Sequence, residues 1–289
     1  MSRRAILVTF CLGLSLQALS GCAVNPATGD EEMMFFSPEK DVAVGRKYAP
    51  LIEKELGGLI PDDNLQSYIN RIGQRIARLC HKPDLSYHFA AVDTKMTNAL
   101  ALPGGYVYIT RGLLAELKTE SQLAAVLAHE TGHVVARDSM AALSRQIGML
   151  AILGAVGAGS ESPSAVHGAS VMAALLSLQY SREDEKDADL TGLSYMTQAG
   201  YDPNGMVETM KILEELQTIR PIEFFSTHPN PDRRIAYLEE GIERRYAGLS
   251  GLKVGQEEYA EKVLIPLAQR KEKERIKAQD LDSWGTKEK

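Results

Sequence analysis

The sequence predicts a mostly α-helical protein carrying a small β-sheet, an α+β arrangement. Three observations lead there. Apolar residues recur at helical spacing through most of the chain. Only two runs, "LSYHFAAVD" and "GYVYIT", have the β-branched and aromatic character of strands. Glycine and proline breaks such as "GGLIPDD" separate these segments into lengths suited to packed elements. With 289 residues, 44% hydrophobic and 24% charged, the chain is long enough to bury a full core. Its net charge of -6 offers no basic face for nucleic acid, so no nucleic-acid partner is expected.

In chain order, Arg3 and Arg4 precede the apolar run Ala5–Leu19, which is short for a membrane span. A positive start, a short apolar middle and small residues after it describe a secretory signal; a retained anchor helix is the alternative. "LSGC", Leu19 to Cys22, matches the bacterial lipobox, which implies a signal peptide over 1–21 and lipid on Cys22. With Ala23 rather than aspartate after it, the resemblance implies an outer-membrane lipoprotein facing the periplasm, held to the membrane through Cys22. Cys11 then leaves with the signal and Cys80 stands alone, so no disulfide is expected. Cys80 reads as a small buried apolar residue.

Residues 22–60 form a leader and a helix over about Glu39–Leu56. The next helix spans "DNLQSYINRIGQRIARLC", with Leu65, Ile69, Ile72, Ile76 and Leu79 on one stripe. The two strands follow, joined through "TKMTNALALPGG" with a turn at Pro103–Gly105. "KTESQLAAVLAHETGHVVARD" is a long helix, with Thr119 and Gln122 as a capping box. The apolar segments 147–159 and 166–178 are each too short to span a bilayer and read as buried helices, with a partner or membrane surface as the alternative. Helices continue through "SREDEKDADLTGLSYMTQAGY", Gly205–Leu216 and "RRIAYLEEGIERRY". The compact domain is placed at 61–247, and the charged segment 248–289 reads as a mostly exposed helical tail without a repeat.

Within "AVLAHETGHVVARD", His129 and His133 lie one helical turn apart on the same face, so both can reach one ion. Glu130, next around the helix, can take a proton from water there. A polar helix surface would look similar, and Gly132 in mid-helix needs a reason. Glu185 and Asp189 in "SREDEKDAD" also share a face. Glu185 can ligate a metal while Asp189 orients a histidine, or both can belong to a solvated acidic helix start. His81, His88 and His167 have no metal spacing and read as structural.

His129-Glu130-Thr131-Gly132-His133 followed by "SREDEKDAD" resembles the zinc metallopeptidases that include the HtpX and CAAX-prenyl-protease types. Within them it is most similar to the periplasmic BepA-like and LoiP-like lipoprotein or secreted members. "NPATG", "NALALPGGYVYITRGLL" and "THPNPDRRI" agree in order, so the likeness spans about Asn25 to Ala247. The resemblance implies a zincin-like fold with one Zn2+ per chain, held by His129, His133 and Glu185, with Glu130 as the base. It places Asp189 and Arg234 behind the ligands, and His228 beside the metal as a fourth ligand in a latent state or a transition-state helper. Gly105, Tyr106, Val107 and Tyr108 are expected as an edge strand that pairs with an extended substrate. The function implied is a metalloendopeptidase acting on unfolded or misassembled envelope proteins, with the outer-membrane assembly machinery as a possible partner. The alternative is a chaperone-like or scaffolding lipoprotein with a latched or structural zinc.

Overall fold

The computed structural model describes residues 22–156, 168–229 and 233–285. The expected signal segment 1–21 and His167 lie outside the described residues, as do 157–159 and 166–167 of the two apolar segments. An N-terminal hairpin pairs β1 (Cys22–Val24) with β2 (Glu31–Met33). Helices α1 (Pro38–Glu55) and α2 (Asp63–Ala77) lead into β3 (His88–Val92), β4 (Ala99–Leu102) and β5 (Tyr106–Thr110). Then come α3 (Arg111–Glu116), α4 (Glu120–Ala136), α5 (Asp138–Val156), α6 (Gly168–Leu176), α7 (Arg182–Gln198) and α8 (Asn204–Ile219). The short α9 (Phe224–Thr227), α10 (Arg234–Tyr246), α11 (Gln256–Tyr259), a π turn (Ala260–Leu264) and α12 (Ile265–Gly285) complete the chain. Mostly helical with small sheets, the architecture agrees with the expected fold class. Among the described residues no helix is long and apolar enough to cross a membrane.

The three-stranded sheet has the order β3-β5-β4, with β5 parallel to β3 and antiparallel to β4. Its alternation divides two cores. Ala99, Ala101, Val107 and Ile109 enter one with α2, α4, α7 and α8, while Leu100, Leu102 and Tyr108 enter the other with α1, α5 and α6. β4 lies inside what was read as a connection, because alanine and leucine carry no strand signal of their own. Leu79, expected on the α2 stripe, falls past the helix end and is 41% exposed. The segment after 247 is not simply an exposed tail: Tyr259 and Val263 are fully buried, and the Tyr259 hydroxyl donates to the Leu114 carbonyl at 2.7 Å. Their spacing, continued at Leu267, is an apolar stripe that the surrounding charges conceal.

Every residue of α4 is buried. Thr119 caps its start by accepting from the Gln122 amide, whereas the Gln122 side chain turns to Lys118 N and Glu208 and does not close the box. Its end is abrupt. Arg137 takes a left-handed φ of 67° and pairs with Asp41 at 2.5 and 2.9 Å, tying α1 to the join of α4 and α5. Ser181 and Asp184 form a full capping box at the start of α7.

α4 and α7 touch through their glycines. A methyl at Gly192 would stand 2.9 Å from His129 N, and one at Gly132 would stand 3.0 Å from Ala188 Cα. That contact is the reason a glycine occupies mid-helix at 132. Gly192→Val should cost about 3 kcal/mol in denaturant unfolding, because the backbone of α4 cannot yield. Gly241→Ala, whose methyl would meet only Leu193 and Leu190 at 3.7 Å or more, should be neutral or stabilising by up to about 1 kcal/mol. Equal losses at both positions would contradict the close-contact account.

Candidate metal centre

The glycine contact brings the polar face of α4 against that of α7. His129, Glu130 and His133 from α4 meet Glu185 and Asp189 from α7, with His228 arriving just after α9. Ligand-capable atoms of His129, His133, Glu185 and His228 all lie within 4.8 Å of one another. His129 Nε2 is 3.1 Å from His133 Nε2 and 3.3 Å from His228 Nδ1. Glu185 Oε1 is 3.4 Å from His133 Nε2 and 2.8 Å from His228 Nδ1.

Each helical histidine has its other nitrogen against a carboxylate. His133 Nδ1 sits 2.6 Å from Asp138 Oδ2, and His129 Nδ1 sits 3.0 Å from Asp189 Oδ1. A proton on each Nδ1 leaves a lone pair on each Nε2 for a metal. Burial opposes charge on His133, yet the Asp138 and Glu185 carboxylates outweigh it and raise its pKa, so a metal would displace a proton there. Four donors at about 2.0–2.1 Å from one ion in a tetrahedron lie about 3.3 Å apart. The separations of 3.1, 3.3 and 3.4 Å fit that edge length, whereas His228 Nδ1 and Glu185 Oε1 at 2.8 Å stand at hydrogen-bond distance. The nitrogen and carboxylate donor set suits zinc.

Burial favours neutral His129 and His228 by lowering their pKa, as metal ligands require. Burial works against charge on Glu185, yet His228 and His133 outweigh it and hold the carboxyl well below its usual range. Burial also raises Asp189, and the Arg234 guanidinium more than reverses that. Arg234, 1% exposed, grips Asp189 with Nε at 2.8 Å and Nη2 at 2.7 Å, and its Nη1 stands 2.7 Å from Glu185 Oε2. The Tyr237 hydroxyl also donates to Asp189.

Glu130 differs from its neighbours. It is fully buried and neither carboxylate oxygen has a hydrogen-bond partner; the basic nitrogen facing it is His228 Nε2 at 3.6 Å. Burial raises its pKa against the pull of His129, a direction that suits proton transfer near neutrality.

Four further residues shape the site without having been singled out in the sequence. Asp138 orients His133, and burial pushes its carboxyl up to about 7 against the pull of that imidazole. Tyr180 stacks on His133 with ring centroids 4.0 Å apart, and Phe224 stacks on His228 at 4.5 Å. Glu223 accepts from Thr97 N at 3.0 Å, pinning the chain before His228 to the chain before β4. The signals were faint: an acid five residues after the second histidine, and an aromatic directly before a helix cap.

One expectation is corrected. Gly105, Tyr106, Val107 and Tyr108 are not an edge, because β5 is paired on both sides and its backbone groups are already used. The edge flanking α4 is β4. There the Ala101 carbonyl accepts from Ser139 Oγ at 2.9 Å and from the Tyr180 hydroxyl at 3.4 Å. Of the other described histidines, His81 Nδ1 lies 2.6 Å from the Tyr195 hydroxyl and His88 stacks on Tyr106. Cys80 is free and buried.

The model of peptidase family M48 matches residues 63–242. The mitochondrial metalloendopeptidase OMA1 of Schizosaccharomyces pombe is 36% identical over 179 residues, covering 61% of this chain and 52% of that protein. The beta-barrel assembly-enhancing protease of Escherichia coli K12 is 30% identical over 191 residues, 62% of this chain and 39% of the relative. A putative beta-barrel assembly-enhancing protease of Vibrio cholerae is 27% identical over 246 residues, 80% and 51%. The chain thus spans about half or less of these relatives.

Because Asp138 fixes the tautomer and orientation of His133, Asp138→Asn should weaken zinc binding by roughly 10- to 100-fold. Competition with a chromophoric chelator checks this, and unchanged affinity would remove Asp138 from the site.

Proposed function

Since the chain belongs to peptidase family M48, we propose that it is a zinc-dependent metalloendopeptidase with His129, His133 and Glu185 as ligands and Glu130 as general base. The observation that carries the reading is the bare Glu130 carboxylate, fully buried one residue from a ligand histidine. A metal with a structural role alone has no use for such a group. When bound, zinc would supply Lewis acidity, polarising a peptide carbonyl and lowering the pKa of water to about 7. Glu130 would accept the proton from the attacking water and return it to the departing amine. Asp189 and Asp138 hold the two imidazoles in their ligand tautomers, and Arg234 keeps Asp189 ionised.

We place the substrate on β4 rather than β5. Backbone pairing along Ala99–Ala101 reads little sequence and suits unfolded chains. It requires Tyr180 and the residues around Phe224 to move away. The reading extends to a lipoprotein anchored through Cys22 in the bacterial envelope, degrading unfolded or misassembled outer-membrane proteins; the lipobox and the likeness to the beta-barrel assembly-enhancing proteases support it.

A second reading has its own support. His129, His133 and His228 are each 3% exposed or less, and Glu185 is fully buried. His228 stands in ligand position, so a latched centre in a chaperone-like or scaffolding protein would look the same. Cleavage of unfolded casein separates the two. The zinc-loaded protein should cleave, and Glu130→Gln should lose at least about a hundredfold in rate while keeping its zinc. His228→Ala should raise basal cleavage if the latch governs access. Cleavage that survives Glu130→Gln contradicts the mechanism, and zinc without cleavage in both wild type and His228→Ala favours the scaffold.

A further inference from the structure

A groove of about 700 Å³ lies where α3, the start of α12 and the chain around Lys95 and Arg220 meet. Five cationic side chains line it, Lys95, Arg111, Arg220, Lys271 and Arg275, against the two carboxylates Glu116 and Glu274. Some of this charge is spoken for. Arg111 pairs with Asp93 at 2.6 Å, Arg220 with Glu116 at 3.3 Å, and Arg275 with Glu272 at 2.6 Å. Among the described residues neither Lys95 nor Lys271 takes part in any ion pair. A positive groove on a chain of net charge -6 runs against the sign of the whole molecule. The lining also has an apolar side, made by Leu264, Leu267 and Ala115.

We propose that this groove is a docking site for an acidic, extended protein segment carrying an apolar residue. Its carboxylates would meet Lys95 and Lys271, and its apolar side chain would cover Leu264 and Ala115. A nucleic acid fits less well, because it needs a broad basic face and would meet the repulsion of the remaining surface. The groove also reaches the metal centre's neighbourhood. Arg220 Nη2 binds Thr97 Oγ1 at 3.1 Å, and Thr97 lies two residues before β4. A chain anchored here has its neighbouring residues beside the β4 edge; that last step rests on the peptidase reading, whereas the docking itself does not.

The test is fluorescence anisotropy of a labelled ten-residue peptide of alternating glutamate and leucine, titrated with the full chain. Binding should saturate, and should weaken about tenfold or more when NaCl rises from roughly 50 to 500 mM. Lys95→Glu with Lys271→Glu should weaken it by a similar factor, while Lys40→Glu, exposed elsewhere, should leave it unchanged. Circular dichroism of the double variant controls for folding. Absence of saturation, or binding that survives the double charge reversal, overturns the proposal. So does a ten-nucleotide single strand that binds as tightly, which would make the groove a general polyanion site. Because no cleavage is read, a protein inactive on casein can still pass.

Discussion

A guanidinium at 1% exposure cannot stand alone in a protein interior, and much of the arrangement around Arg234 follows from that. Asp189 neutralises it with two bonds, and Asp189 in turn faces the Nδ1 of His129. The same guanidinium reaches Glu185. One buried cation thereby orders two carboxylates of α7 and, through one of them, a histidine of α4. Removing one member of such a set leaves the others charged in a low-dielectric interior, a loss on the order of 3–5 kcal/mol. Its geometry depends in turn on Gly132 and Gly192, which let the two helices approach closely enough for their polar faces to interlock.

The rest of the fold serves to exclude water from this cluster. The sheet closes one side of α4, and α2 and α8 close others, so that α4 is buried along its whole length. Aromatic rings finish the enclosure, with Tyr180 against His133 and Phe224 against His228. Backbone bonds hold those rings in place: Tyr180 N donates to Thr227 O at 3.1 Å, and Phe224 N donates to Thr97 O at 3.0 Å. The second bond uses a backbone group just before β4. The enclosure and the sheet edge are therefore one mechanical unit, and an incoming extended chain competes with contacts the protein already makes to itself.

The parts of this legible in the sequence are those set by helical periodicity. Residues four apart share a face wherever the helix runs, so the pairs His129–His133 and Glu185–Asp189 could be placed before any fold was known. Their convergence could not, since it depends on a helix-to-helix contact that glycines permit but do not announce. Strand position was less legible still. "NALAL" has helix-forming composition and becomes the edge strand only because β5 offers it a partner, which moved the expected edge from Tyr106–Tyr108 to Ala99–Leu102. The buried stripe Tyr259–Val263 was hidden by its charged neighbours, and Tyr180 by its place outside any periodic element.

The central claim is that a divalent ion completes a buried charge cluster, and thermal unfolding of the metal-free protein titrated with zinc tests it most directly. An ion that binds the folded chain alone at a thousand times its dissociation constant adds about 4 kcal/mol, which for a chain of this size is a rise on the order of 10 °C. The account predicts that rise, growing with the logarithm of free zinc once one equivalent is bound and lost in Glu185→Ala. An unfolding temperature indifferent to zinc would contradict it, since the buried convergence of His129, His133 and Glu185 would then need another explanation.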